Sequence, residues 1–216
     1  MTSVCVFPVT GWAIDLFDSV EWQLKRDRKD IQIYTGKVEG SSDRAVFSTM
    51  ELEAERDSVV ALLLDLDNCK RWARMCRDAR IERRLTKTQA VVYSLSDIPF
   101  PVRDRDGYST VTWSVNEITG VVTMDSDANI GASFPKRKGV VRVVKARVRW
   151  RVVPTQGGKL IVENYAHVDP NGSIPAWFSN IFIVDEPYKA LRRMRSLLRS
   201  GAYDKAQVDF LPTKTN

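Results

Sequence analysis

Apolar and polar residues alternate through most of the middle of the chain, and the spacing changes to three and four residues only near the end. Alternation is the mark of a half-buried strand, and the longer spacing marks one face of a helix. Strands are therefore predicted at Ile31 to Val38, Ala45 to Ala54, Ala79 to Thr86, Ala90 to Ser96, Asp106 to Val115, Val121 to Ser126, Val140 to Val153 and Lys159 to Val168. Turns at Glu39-Gly40-Ser41-Ser42, Asn116 to Gly120 and Gln156-Gly157-Gly158 separate neighbours. Such short connections imply antiparallel pairing, because parallel strands need long crossovers. Within Val140 to Val153, the residues Val144, Ala146, Val148, Trp150 and Val152 face one way, and Lys145, Arg147, Arg149 and Arg151 the other. Parity breaks between Arg142 and Val144, where a bulge would bend the sheet.

Three helices, and a short helix or turn, are predicted. Leu16 to Lys25 carries Leu16, Val20 and Leu24 at four-residue steps. A Leu-rich helix follows Asp57, which is placed to act as its N-cap, and a short helix or turn lies near Trp72. The last helix begins near Pro175 and carries Ile174, Trp177, Phe178, Ile181, Val184, Tyr188, Leu191, Met194 and Leu198 as one stripe. Pro187 falls inside it and should kink or weaken the helix between Ile183 and Pro187, as a hinge or as a fixed fit to a curved sheet. The expected fold class is α+β: a curved antiparallel sheet wrapped around a long C-terminal helix. That arrangement can enclose a cavity.

Composition changes this picture little. The 216 residues fit one large domain or two small ones, and 44% are apolar. The net charge of +6 admits anionic partners, but acids and bases are interleaved. The basic row of Val140 to Val153 reads as the wet face of a strand; a nucleic-acid surface would carry aromatics among the charges, and Trp150 lies on the other side. Nucleic acid is not an expected partner. Three cysteines give no disulfide framework, so a reducing, cytoplasmic setting is favoured, with a periplasmic one as the alternative should a signal peptide be present. Cys69 and Cys76 can approach across a bend or serve as small buried hydrophobes. Residues 1–15 read as an N-terminal arm or signal remnant, 16–200 as the domain and 201–216 as a tail.

Catalytic chemistry has little to work with. The lone His167 shares a strand face with Asp169, and a base formed by that pair is far less common than an incidental neighbour. Nucleophile elbow, P-loop and dinucleotide fingerprint are all missing. One histidine and scattered cysteines do not make a transition-metal shell, so neither metal nor cofactor is expected. The basic loop Gly131 to Gly139 is an anion cradle or a solvated loop.

Several motifs, in one order, are similar to those of a known family. They are Trp22 with Asp30-Ile31-Gln32-Ile33-Tyr34-Thr35, Trp72, Pro99-Phe100-Pro101-Val102-Arg103-Asp104-Arg105-Asp106, Gly139-Val140-Val141-Arg142, Trp150 with Pro154, and Asp169-Pro170-Asn171-Gly172-Ser173-Ile174-Pro175-Ala176-Trp177-Phe178-Ser179-Asn180. Together they resemble the START (StAR-related lipid-transfer) domains of the helix-grip type, over roughly Trp22 to Arg199. The resemblance implies a U-shaped sheet around the terminal helix and a hydrophobic tunnel for one lipid, sterol or fatty-acid-like ligand, with Ile98 to Arg103 at the mouth. Intermembrane transfer goes with it; separately, the basic end of the terminal helix, with Lys189, Arg192, Arg193, Arg195 and Arg199, is a candidate for transient contact with anionic membrane, and a monomer is expected. Lining candidates are Trp72, Tyr93, Phe100, Trp113, Arg142, Val148, Trp150, Trp177, Phe178 and Ile181, with Arg142 as a candidate headgroup partner. No acid–base pair is evident on the strands Ala90 to Ser96 and Asp106 to Val115. A polyketide cyclase or aromatase using the same cavity is the alternative, and it would need a directed acid–base pair there.

Overall fold

The computed structural model describes residues 15–172, 174 and 181–212, with Ile181 and Phe182 as backbone alone. Ten strands form one sheet: β1 (Gln23–Arg28), β2 (Ile31–Lys37), β3 (Arg44–Leu52), β4 (Cys76–Arg84), β5 (Gln89–Ser96), β6 (Arg105–Val115), β7 (Val122–Asp127), β8 (Val141–Arg142), β9 (Lys145–Pro154) and β10 (Leu160–Asp169). Their spatial order is β1-β2-β3-β10-β9-β7-β6-β5-β4, every neighbour antiparallel. The two-residue β8 pairs β6 in parallel, the one exception among the described strands. Between β3 and β4 the backbone crosses to the far edge through α1 (Arg56–Leu64) and a 3₁₀ turn (Leu66–Arg71). A π-helical turn (Ile181–Asp185) leads into α2 (Glu186–Arg199), against which the sheet curves. The expected α+β architecture is thus present.

The inner face follows from strand alternation. Paired positions carry Ile31 and Ile33 of β2, Met50 and Leu52 of β3, Leu160 and Val162 of β10, Trp150 and Val152 of β9, and Trp113 of β6. α2 lays Tyr188, Leu191, Met194 and Leu198 onto this surface, and α1 adds Val59, Val60, Leu62 and Leu63. Full burial of each such side chain stabilises the fold by about 1.5–3 kcal/mol, so α2 is anchored by its second half. The segment read as a tail also joins the core: Val208 and Leu211 are buried, Phe210 packs on Trp113, and Ser58 donates to the Tyr203 carbonyl.

Three local expectations give way. Leu16 to Lys25 is not a helix; it is a turn followed by β1, because Val20 packs with Val38 and Ala45 while the polar Gln23–Arg28 segment pairs with β2. Asp57 lies in the first turn of α1 beside Arg56 at 3.1 Å, where its charge favours the helix dipole, and Glu55 holds the cap position. The expected bulge after Arg142 is a complete break, which separates β8 from β9.

On the outer face, Asp106 and Arg142 form a two-point ion pair, Nε to Oδ1 at 2.7 Å and Nη2 to Oδ2 at 3.0 Å, with side chains 1% and 6% exposed. The same guanidinium donates to the carbonyls of Gly131, Phe134 and Pro135. It also lies over the Tyr108 ring, 4.9 Å from its centre. Gly131 is required for this approach, since a Cβ there would stand 2.9 Å from the Val143 carbonyl oxygen. The clasp fixes the loop after β7, whose Phe134 stacks on Tyr108, over Tyr93 and Tyr108. The basic row of β9 is matched by acids as well: Arg147 with Asp127, Arg149 with Asp125 and Asp15, and Arg151 with Glu163.

Arg142→Ala strands a buried carboxylate. It is expected to lower unfolding free energy by about 3–5 kcal/mol. Arg147→Ala, at an exposed pair, should cost under about 1 kcal/mol. Urea unfolding of both variants checks the contrast.

Candidate functional site

Side-chain size changes along the inner face. Toward one end of β3 and β10, Met50, Leu52, Leu160 and Val162 fill the space under α2. Toward the other, the inner positions become Val46, Asn164, Ala166 and Val168. These smaller groups leave a cavity of about 340 Å³. Its opposite wall is Ile98, Val143 and Ile174, and its roof is Ile183 and Pro187. At about 30 Å³ for each water-sized group, the space holds roughly ten of them. That is the lower part of the ~300–1,000 Å³ range of small-molecule pockets.

The roof follows from the proline. Pro187 lies in the first turn of α2, where its missing N–H costs least, and the backbone reaches it through the wider π turn Ile181–Asp185. The expected weakening between Ile183 and Pro187 is present in that form. π turns recur at functional positions, and this one stands directly over the cavity.

The charged groups, with Ser96, gather at one end: Asp43, Arg44 and Arg105; Asn164 is the further polar residue of the described lining. Arg44 donates to the Thr35 hydroxyl at 3.3 Å. Arg105 is 8% exposed and donates to two backbone carbonyls, Nε to Pro170 at 3.3 Å and Nη1 to Arg103 at 2.5 Å. Burial, then the nearby Arg103 charge, hold its pKa below the ordinary guanidinium value. A second hollow of about 220 Å³, bounded by Pro101, Val102, Arg103, Val141, Asn171 and Gly172, adjoins the same guanidinium.

The predicted lining residues separate into four groups. Trp72, Trp113, Val148 and Trp150 are on the inner side but within or against the packed core; Trp72 meets Trp150 edge-on at 5.7 Å. Tyr93 and Arg142 are corrections: both are on the outer face, Tyr93 under the loop after β7 and Arg142 held by Asp106. Phe100 is 94% exposed in the loop joining β5 to β6. Trp177 and Phe178 lie outside the described residues, as does the Ile181 side chain. Arg105 was missed as a lining residue. The signal for it was parity, since Arg105, Gly107, Ser109, Val111 and Trp113 are on one face of β6. His167 points away from the cavity, 3.0 Å from the Ser41 hydroxyl, opposite in parity to Ala166 and Val168. Among the described residues, no three metal-binding side chains cluster.

Comparison with known proteins finds relatives of this chain in sequence and in fold. The family model described as START domain matches residues 16–202. An uncharacterised protein of Pseudomonas aeruginosa is 29% identical over 194 residues, covering 90% of this chain and 93% of its own. Human START domain-containing protein 10 is 25% identical over 179 residues, or 81% of this chain; the match spans 60% of that relative. A crystal structure of a STAR-related lipid transfer protein fragment from Xanthomonas axonopodis matches with a TM-score of 0.73 at 32% identity, covering 82% of this chain and 98% of that one.

Proposed function

The chain belongs to the START-domain family, and we propose that it binds one hydrophobic ligand of lipid, sterol or fatty-acid type beneath α2 and carries it between membranes. The observation that carries this reading is the cavity of about 340 Å³ between Val46, Ala166 and Val168 on the sheet and Ile183 and Pro187 on the roof. Hydrocarbon entering such a space gains roughly 25 cal/mol for each Å² removed from water. A cyclase in the same fold needs a directed acid–base pair. Asp43, the one carboxylate among the described lining residues, forms no ion pair with Arg44 or Arg105. Membrane contact is supported by Phe100, a fully presented aromatic beside the exposed Arg103, on a loop that flanks the arginine end of the cavity. An apolar side chain next to a cation is what an anionic bilayer surface attracts.

A second feature bears on compartment. Cys69 and Cys76 form a disulfide, with Cα atoms 5.9 Å apart, fastening the end of the 3₁₀ turn to the start of β4. Structural disulfides persist in oxidising compartments. This favours the periplasmic or otherwise oxidising alternative over the cytoplasmic expectation.

Native mass spectrometry of freshly purified protein, followed by lipid extraction, is expected to reveal a co-purifying apolar molecule. Ala166→Phe should remove most of that adduct while changing stability by no more than the ~1–3 kcal/mol typical of overpacking. Phe100→Ser should leave the adduct in place and slow transfer between vesicles containing anionic lipid. An empty protein that takes up no lipid from vesicles would end the carrier reading. Thiol alkylation in acid-quenched cells should label one cysteine of the three, Cys5; labelling of all three would end the argument for an oxidising compartment.

A further inference from the structure

The cavity has a polar end that an uncharged hydrocarbon would leave unmatched. Strand alternation on β6 turns Arg105 inward and Asp106 outward. The two carboxylates flanking Arg105 in sequence are both engaged elsewhere. Asp106 is bound by Arg142. Asp104 accepts from Arg77 at 3.0 Å and from the Ile98 amide at 3.1 Å. Among the described residues no carboxylate pairs with Arg105, and its two hydrogen bonds go to neutral carbonyls. Arg44 brings a second guanidinium to the same end and Asp43 a single carboxylate, so the charged groups there sum to one excess positive charge.

A buried guanidinium without a counter-ion is costly, and the cost falls when an oxyanion arrives with two acceptor oxygens for its forked donors. Apart from Ser96 and Asn164, whose amide donates to the Arg149 carbonyl, the remaining described lining is apolar, and the space is that of one short acyl tail rather than two. We infer that the ligand is a single-tailed amphiphile ending in an oxyanion, carboxylate or phosphate, with Arg105 holding the head and the Val46–Ala166–Val168 wall holding the tail. This rests on the cavity being the ligand site, as argued above. Arg105 then separates acids from the neutral esters and alcohols that the apolar wall alone would accept equally.

The test compares dodecanoate, dodecyl phosphate and methyl dodecanoate by titration calorimetry on the full-length protein. At least one anion is expected to bind about tenfold or more tighter than the ester, the scale of a charge-assisted hydrogen bond. Whichever anion binds tighter identifies the head as a fatty-acid carboxylate or a lipid phosphate. Arg105→Gln should bring the anions to within about twofold of the ester, a residual near the energy of no more than one weak contact. An unaltered circular dichroism spectrum and urea midpoint certify that the variant is folded. Should that variant fail to fold, the wild-type protein still decides: dodecanoate preference should fade as pH falls through the ligand's own pKa, while ester binding holds. Equal binding of all three by the wild-type protein, or an undiminished preference in Arg105→Gln, overturns the assignment of Arg105. Binding of none of the three by a protein that still takes up lipid from vesicles overturns the single-tailed ligand alone; binding of none by a protein that takes up no vesicle lipid either overturns the carrier reading itself.

Discussion

The structure depends on how one helix covers a sheet whose inner face is uneven. Where α2 sets down Leu191, Met194 and Leu198, the sheet answers with Met50, Leu160 and Trp150, and the space is filled. Where the helix gives way to the π turn, the sheet answers with Val46, Ala166 and Val168, and the space is not filled. Side chains facing a void lose the dispersion contacts that close packing would provide. A hollow of this size survives because the packed half, continued by α1 and by Val208 and Leu211, stabilises the whole grip. Fold and site are thus two halves of one surface, distinguished by residue volume.

Charge is divided by the same alternation. Arg103-Asp104-Arg105-Asp106 looks in sequence like two adjacent ion pairs. The strand pleat separates them: Asp106 faces outward to Arg142, Asp104 turns to Arg77 and the Ile98 amide, and Arg105 faces inward. The outer pair fastens a loop and is fully satisfied. The inner arginine is left with backbone carbonyls. A buried charge so placed weakens the empty state relative to one with a counter-ion, and the proposed ligand role of Arg105 rests on this contrast with the satisfied outer clasp.

Most of the fold was legible because alternation over eight strands and one helical stripe leave few alternatives. The failures came where a period was short or a side chain had more than one possible face. Leu16, Val20 and Leu24 fit a helix for barely two turns, and pairing of the polar Gln23–Arg28 segment with β2 overrode them. The site was less legible. Large aromatics were natural lining candidates, yet Trp113 and Trp150 fill space, and a cavity is bounded by residues too small to fill it. Ala166 and Val46 carry no such flag in sequence. Tyr93 and Arg142 were misassigned because facing on β5 and β8 depends on pairing register, which a single strand does not reveal.

Energetics also favour one way into the hollow. A path between α2 and the sheet near Leu191 and Met194 would expose side chains that are buried almost completely. At about 1.5–3 kcal/mol for each large apolar side chain, two or three of these consume much of a domain's net stability. A path through the roof displaces Ile183 and Pro187, which border the cavity and are only partly buried, with Ile183 and Val184 resting against the edge of the core. Pro187, which in sequence looked like an interruption of the helix, sets the boundary between these two regimes. The helix that follows it is held by full burial, and the described turn residues before it by partial burial and by the ion pair of Asp185 with Arg26 at 2.8 Å.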